Sequence, residues 1–168
     1  MLSLLSTSSA AQPSNPSCFS EREFSDVLLI LAPAALKIMS EQCAPTLRSG
    51  QVLGNPQSLV AKNIDAASRA AWPRAFSSII RVMKSQGELP KPEEASMTRE
   101  AFNAGVAPIL GKIITKADSC PVVDKVLKLS EPLPPENLAG MFVQILRIVP
   151  SGKELEVLCP LAPGAPNP

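Results

Sequence analysis

The side chains with the clearest chemical potential are four widely separated cysteines, Cys18, Cys43, Cys120 and Cys159. The C-x-x-C spacing that is typical of zinc knuckles and thioredoxin-like redox sites does not occur among them. Each cysteine lies near the boundary of a predicted helix, and three of them are followed by a proline one or two residues later. Because such positions suit crosslinks, the sequence favours two disulfides and an oxidising compartment over buried free thiols.

Helix geometry restricts how these cysteines can pair. Cys18 and Cys43 flank the first predicted helix and would lie roughly 30 Å apart, whereas a disulfide requires Cα atoms within about 7 Å. The two other pairings depend on the path of the chain at Pro73. One long helix through this proline predicts Cys43–Cys120 and Cys18–Cys159, which is the pairing we expect. A new antiparallel helix starting at Pro73 predicts Cys18–Cys120 and Cys43–Cys159 instead.

Most catalytic and metal-binding classes lack the residues they need. The chain has no histidine, which excludes a Ser-His-Asp triad, a Cys-His pair and the usual imidazole zinc sites. The segment GVAPILGK (105–112) departs from a phosphate-binding loop, because five residues separate its glycines and Ile113 follows the lysine. The acidic residues do not have the spacing of a calcium loop. We therefore expect a protein that is not an enzyme and that uses no metal and no cofactor.

Two groups of residues are candidates for binding. The second predicted helix carries five basic side chains and one acid, a pattern that can bind an anionic partner but more often forms a solvated helix face. These basic residues are Lys62, Arg69, Arg74, Arg81 and Lys84. Trp72, the only tryptophan, can line a ligand pocket, although such a residue more often packs in the core beside a proline. One tryptophan and five phenylalanines are too few for base stacking, so no nucleic-acid partner is expected.

Helical patterns dominate the chain and must position these residues. The expected helices are one that opens with the capping box at 20–23, one over 56–86 opened by Asn55-Pro56, one over 97–117, a short one after Pro121 and one over 138–149. Pro33, Pro73 and Pro108 fall inside these patterns and predict kinks. Residues 154–159 alternate in polarity, which is consistent with a short strand, a helical turn or an extended arm. The expected fold is all-α, an irregular bundle of four to six proline-kinked helices.

The length of the chain is sufficient for one domain, which we place at residues 20–159. Residues 1–19 predict a disordered leader or the remnant of a signal peptide with a small-residue cleavage site at 9–11. Residues 160–168 predict a disordered Pro-rich tail. The longest apolar run, 27–36, has about half the length of a bilayer-spanning helix, so no transmembrane segment is expected. The net charge of +1 gives no general attraction to nucleic acid or anionic membranes.

These features predict an exported protein, periplasmic or secreted, with a binding or structural role and no enzymatic activity. Its expected partner is an unknown protein or a small apolar ligand. One alternative is a small secreted helical inhibitor or signalling factor held together by two disulfides. Another is a cytoplasmic helical interaction protein with reduced cysteines. An apolar cavity beside Trp72 would favour a ligand, whereas a filled core would favour a scaffold or a protein partner.

Overall fold

The computed structural model describes residues 17–46, 51–88, 96–113, 120–148 and 157–160. Over these ranges it contains five α-helices, which are α1 (Glu21–Cys43), α2 (Leu59–Ser85), α3 (Arg99–Ile113), α4 (Cys120–Ser130) and α5 (Pro135–Ile148). The expected all-α class is confirmed. The kinks expected at Pro33, Pro73 and Pro108 stay predictions, as do the domain limits. The leader before residue 17 and the tail after residue 160 lie outside the described residues, as do residues 154–156 of the segment 154–159.

The first helix begins where its capping box predicts. The Ser20 hydroxyl accepts a hydrogen bond from the Glu23 backbone N–H at 3.3 Å, and the Glu23 carboxylate accepts one from the Ser20 N–H at 2.8 Å. Two otherwise unpaired backbone donors are thereby satisfied. The helix that follows is central to the fold, because it packs most extensively against α2 and also contacts α3 and α5.

The second helix starts three residues later than its sequence suggests. Ser58 is the N-cap, and its hydroxyl accepts from the Ala61 N–H at 3.2 Å. Asn55 instead stabilises the preceding turn, since its side chain accepts from the Gln57 N–H at 2.9 Å. From Leu59 the helix continues through Pro73 as one element. It ends before Gly87, whose φ of 83° is the left-handed conformation that commonly closes a helix.

The face of α2 that is buried contains many small side chains. Its buried residues follow helical spacing, and they are Val60, Ile64, Ala67, Ser68, Ala71, Ala75, Ser78 and Val82. Four of them, Ala67, Ala71, Ala75 and Val82, join a core cluster with buried residues of α1 and α5, which are Val27, Leu29, Ile30, Ala139 and Val143. Prolines occupy the first turns of α4 and α5, where a missing N–H has no cost.

Two disulfides join distant parts of the described chain. Cys18 and Cys159 have Cα atoms 5.0 Å apart, and Cys43 and Cys120 have Cα atoms 5.7 Å apart. This is the pairing expected from a continuous second helix. An isolated parallel bridge between Phe19 and Leu158 lies beside the first disulfide. The second disulfide joins the end of α1 to the start of α4 and lies in a small core cluster with Leu53.

Candidate ligand-binding site

An apolar groove lies between α1, α4 and α5. Its volume is about 460 Å³, within the range of roughly 300–1,000 Å³ that is typical of ligand pockets. The lining residues are Leu28, Leu29, Ala32, Ala35, Leu36 and Met39 of α1, Ile64 of α2, Val122, Val123, Val126, Leu127 and Ser130 of α4, and Pro135, Leu138, Ala139 and Phe142 of α5. Ser130 is the single polar residue in this set, and its hydroxyl donates to the Leu127 carbonyl at 2.8 Å. The groove therefore offers a ligand an almost entirely apolar surface.

The groove follows from the way α4 and α5 attach to the rest of the bundle. The disulfide Cys43–Cys120 holds the start of α4 at the end of α1. The carboxylate of Asp124 accepts a hydrogen bond from the Leu53 N–H at 2.8 Å, which joins α4 to the segment before α2. The chain then reverses into α5, which packs on the core through Ala139 and Val143. The space left between the two attachments is the groove.

Several groove residues remain accessible to water. Val122, Val126 and Phe142 are 62%, 50% and 55% exposed, respectively. An exposed contiguous apolar surface of this kind usually marks an interaction site in a soluble protein. A hydrocarbon in the groove would remove these side chains from water.

A second cavity adjoins the groove and has a different chemical character. Its volume is about 390 Å³, and it shares Leu36 and Leu127 with the groove. Its lining includes five polar or charged residues, which are Lys37, Ser40 and Glu41 of α1 together with Asn55 and Ser58. We call this space the polar cavity because of these five residues, although apolar side chains form most of its lining. It places two charged side chains next to an apolar site.

The basic residues of α2 do not form one free cationic surface. Arg69 pairs with Asp65 one turn away. Arg81 donates to the Glu23 carboxylate at 2.8 Å. Lys62 and Lys84 are exposed at the surface. Together with Arg74, which pairs with Asp26, three of the five candidate cations are therefore occupied by carboxylates.

Arg74 pairs with the most buried carboxylate of this group. Its Nε donates to Asp26 Oδ2 at 2.9 Å and its Nη2 to Asp26 Oδ1 at 2.8 Å. The Asp26 side chain is only 11% exposed. The hydrogen bond and the charge of Asp26 raise the pKa of Arg74 above its ordinary value. Arg74 thus joins α2 to α1 in a fixed, bidentate contact.

The carboxylate of Glu23, at the contact between α1 and α2, also has a shifted pKa. Partial burial raises its pKa, but hydrogen bonds from Ser20 and Arg81 and the charge of Arg81 outweigh burial, so the pKa lies below the ordinary value. The Ser78 hydroxyl donates to the same carboxylate at 3.1 Å. Glu23 therefore serves both the cap of α1 and the attachment of α2.

Trp72 lies away from the two cavities described above. Its ring stacks on Phe76 with centroids 4.8 Å apart and contacts Phe102 of α3 at 5.5 Å in a tilted arrangement. Neither the groove nor the polar cavity includes it in its lining. In this position Trp72 packs α3 against α2.

The described ranges contain neither a cluster of metal ligands nor a membrane-spanning helix. There, no group of three or more cysteine or acidic side chains is arranged to hold a metal ion. None of the five helices combines the length and the apolar character needed to cross a bilayer.

No family model matches the chain, and neither a curated protein nor a solved structure does so. The chemistry of the site is therefore the basis for assigning a function.

The groove was missed at the level of sequence, although α4 carries a signal for it. Its apolar residues Val122, Val123, Val126, Leu127 and Leu129 cover more of the helix circumference than one core-facing stripe requires. This excess of apolar residues predicts that α4 has a second apolar surface besides the one that packs on the core. Which residues of α1 and α5 face that surface depends on tertiary packing, which spacing in one helix does not reveal.

Proposed function

We propose that this chain is an exported, non-enzymatic protein that binds a small apolar ligand, a single hydrocarbon chain, in the groove between α1, α4 and α5. The observation that carries the proposal is the lining of the groove, in which Ser130 is the single polar residue among the sixteen. Because that hydroxyl already donates to a backbone carbonyl, the groove offers a ligand few polar contacts. An apolar occupant fits this chemistry.

The energetics of burial support a hydrocarbon occupant. Each methylene group that leaves water contributes about 0.8 kcal/mol. The ligand would also cover the exposed side chains of Val122, Val126 and Phe142. The conformational and translational entropy that the ligand loses on binding opposes these favourable contributions. A chain of moderate length can therefore bind with useful affinity without any polar contact.

The two disulfides support the proposed export. Thiols are kept reduced in the cytosol of most organisms, whereas disulfides persist in periplasmic and extracellular proteins. All four cysteines of the chain are paired. The alternative of a cytoplasmic interaction protein predicts four free thiols in the purified native protein, which a thiol-reactive dye would count.

The binding proposal is tested with N-phenyl-1-naphthylamine, a neutral fluorophore, and its displacement by 1-dodecanol. The variant Ala35→Phe places a ring in the groove and should weaken probe binding about tenfold, equivalent to ~1.4 kcal/mol. Ala66→Phe is the matched control, because Ala66 is exposed on α2 and does not line the groove. Equal affinity of the two variants, or no saturable binding by the unsubstituted protein, would contradict the proposal.

A further inference from the structure

The groove and the polar cavity occupy adjacent faces of the same helix. On α1 the groove includes Ala32, Ala35 and Leu36, while the polar cavity includes Leu36, Lys37 and Glu41. At about 100° per residue, Leu36 lies on the border between the two faces. Leu127 of α4 also borders both spaces. A chain bound in the groove can therefore extend one end past these two leucines toward Lys37 and Glu41.

The polar cavity presents one positive and one negative side chain. Lys37 and Glu41 are one helical turn apart, so their Cβ atoms are about 5–6 Å apart. Neither forms an ion pair with another described residue. By contrast, Arg74 and Arg81 are held by carboxylates of α1. The charges at the polar cavity are thus not taken up by the contacts that hold α1 and α2 together.

We propose that the ligand is a single-chain amphiphile with a zwitterionic head group, whose chain fills the groove and whose head group lies in the polar cavity. This inference rests on the proposed function, since it names the ligand class of the same site. The anionic part of the head group lies near Lys37 and the cationic part near Glu41.

Charge complementarity favours this head group over a singly charged one. A carboxylate head group is attracted by Lys37 but repelled by Glu41. An ammonium head group is attracted by Glu41 but repelled by Lys37. A zwitterion satisfies both side chains at once. Because Lys37 and Glu41 are exposed, each contact is screened by water and contributes a modest factor to affinity.

The test compares three amphiphiles that share one alkyl chain: dodecylphosphocholine, dodecanoate and dodecyltrimethylammonium. Each displaces N-phenyl-1-naphthylamine from the full chain below its micelle-forming concentration and at low ionic strength. We expect the zwitterion to bind about two- to fivefold more tightly than either charged compound. The preference should shrink as salt is added, because the charges involved are exposed.

Two charge variants should change which head group binds most tightly. Lys37→Gln leaves Glu41 and should favour the ammonium compound, whereas Glu41→Gln leaves Lys37 and should favour dodecanoate. Lys62→Gln is the matched control, because Lys62 is exposed and lines neither cavity. Circular dichroism confirms that each variant keeps its helices.

The outcomes separate this inference from the proposed function. If all three compounds and 1-dodecanol displace the probe alike, and the charge variants change nothing, the groove binds chains but the head-group assignment is overturned. If Lys37→Gln and Glu41→Gln shift the preference in the same direction, the assignment is also overturned. If no dodecyl compound displaces the probe, the proposed function itself fails.

Discussion

Replacing Cys43 and Cys120 together by alanine should lower the free energy of unfolding and also weaken ligand binding in the groove. The two residues are 77 positions apart in sequence. In the chain-entropy treatment, a crosslink that closes a loop of this length stabilises the fold by about 4.5 kcal/mol. The other disulfide spans 141 positions and encloses this one. Because the Cys18–Cys159 disulfide already restricts the unfolded chain, we expect the Cys43/Cys120 variant to lose about 4 kcal/mol of unfolding free energy.

The expected effect on binding comes from the neighbours of this disulfide. Leu36, Met39, Val123 and Leu127 pack against the cluster that contains Cys43 and Cys120, and all four also line the groove. Losing the crosslink removes the covalent link between α1 and α4. The two sides of the groove can then separate, so affinity for the fluorescent probe should fall.

The matched control is the double replacement of Cys18 and Cys159 by alanine. With the inner disulfide intact, the outer one closes an effective loop of roughly 66 residues, and its loss should cost about 4.3 kcal/mol. Neither Cys18 nor Cys159 lines the groove. The two variants should therefore lose similar stability, while only the Cys43/Cys120 variant loses affinity.

Urea unfolding followed by circular dichroism measures the stabilities, and probe titration at low denaturant measures the affinities. A loss below about 1 kcal/mol for the Cys43/Cys120 variant would show that the crosslink restricts the unfolded chain far less than its loop length implies. Equal probe affinity of the two double variants would refute the argument that this disulfide holds the sides of the groove together.

Three further predictions concern the contacts that hold the bundle together. Arg74→Met removes both donors to the buried Asp26 carboxylate and should lower the free energy of unfolding in urea by about 1–3 kcal/mol. The double variant with Asp26→Leu should recover part of this loss. An Arg74→Met protein as stable as the unsubstituted one contradicts this prediction. The pKa of Glu23 is lower in the folded than in the unfolded state, so its stabilisation is present above the ordinary carboxylate pKa and is lost as pH falls through the folded value. Glu23→Gln should flatten the acid limb of the stability–pH curve, and an unchanged limb argues against the role of this carboxylate. Ser20→Ala should cost about 1 kcal/mol through loss of the cap of α1, and thermal unfolding would show no shift if water replaced the cap without cost.

Local signals in the sequence predict the helices but not all of their limits. The capping box at Ser20 and Glu23 placed the start of α1 correctly, because its partners are three residues apart and need no tertiary information. The start of α2 was placed too early. Asn55 and Ser58 are both good caps, and the structure uses the first for a turn and the second for the helix. Sequence preference alone does not rank two adequate caps.

The binding site depended on information that no single segment contains. Trp72, the only tryptophan, is a candidate from sequence for lining a ligand pocket, yet it packs with Phe76 and Phe102. The candidate basic face contains arginines whose partners, Asp26 and Glu23, lie about 50 residues earlier in sequence. The groove arises from the positions of three helices, of which two are joined by a disulfide. Long-range packing of this kind decides which apolar residues are left uncovered.

The most direct test of ligand binding is a crystal structure of the protein with 12-bromo-1-dodecanol, in which anomalous scattering locates the bromine. The account predicts a bromine peak inside the groove, among the side chains of α1, α4 and α5, with the alkyl chain continuing past Val126 and Phe142. Bromine bound at another site with the groove free of ligand density, or no bound bromine at saturating concentration, would contradict the assignment of the groove as the ligand-binding site.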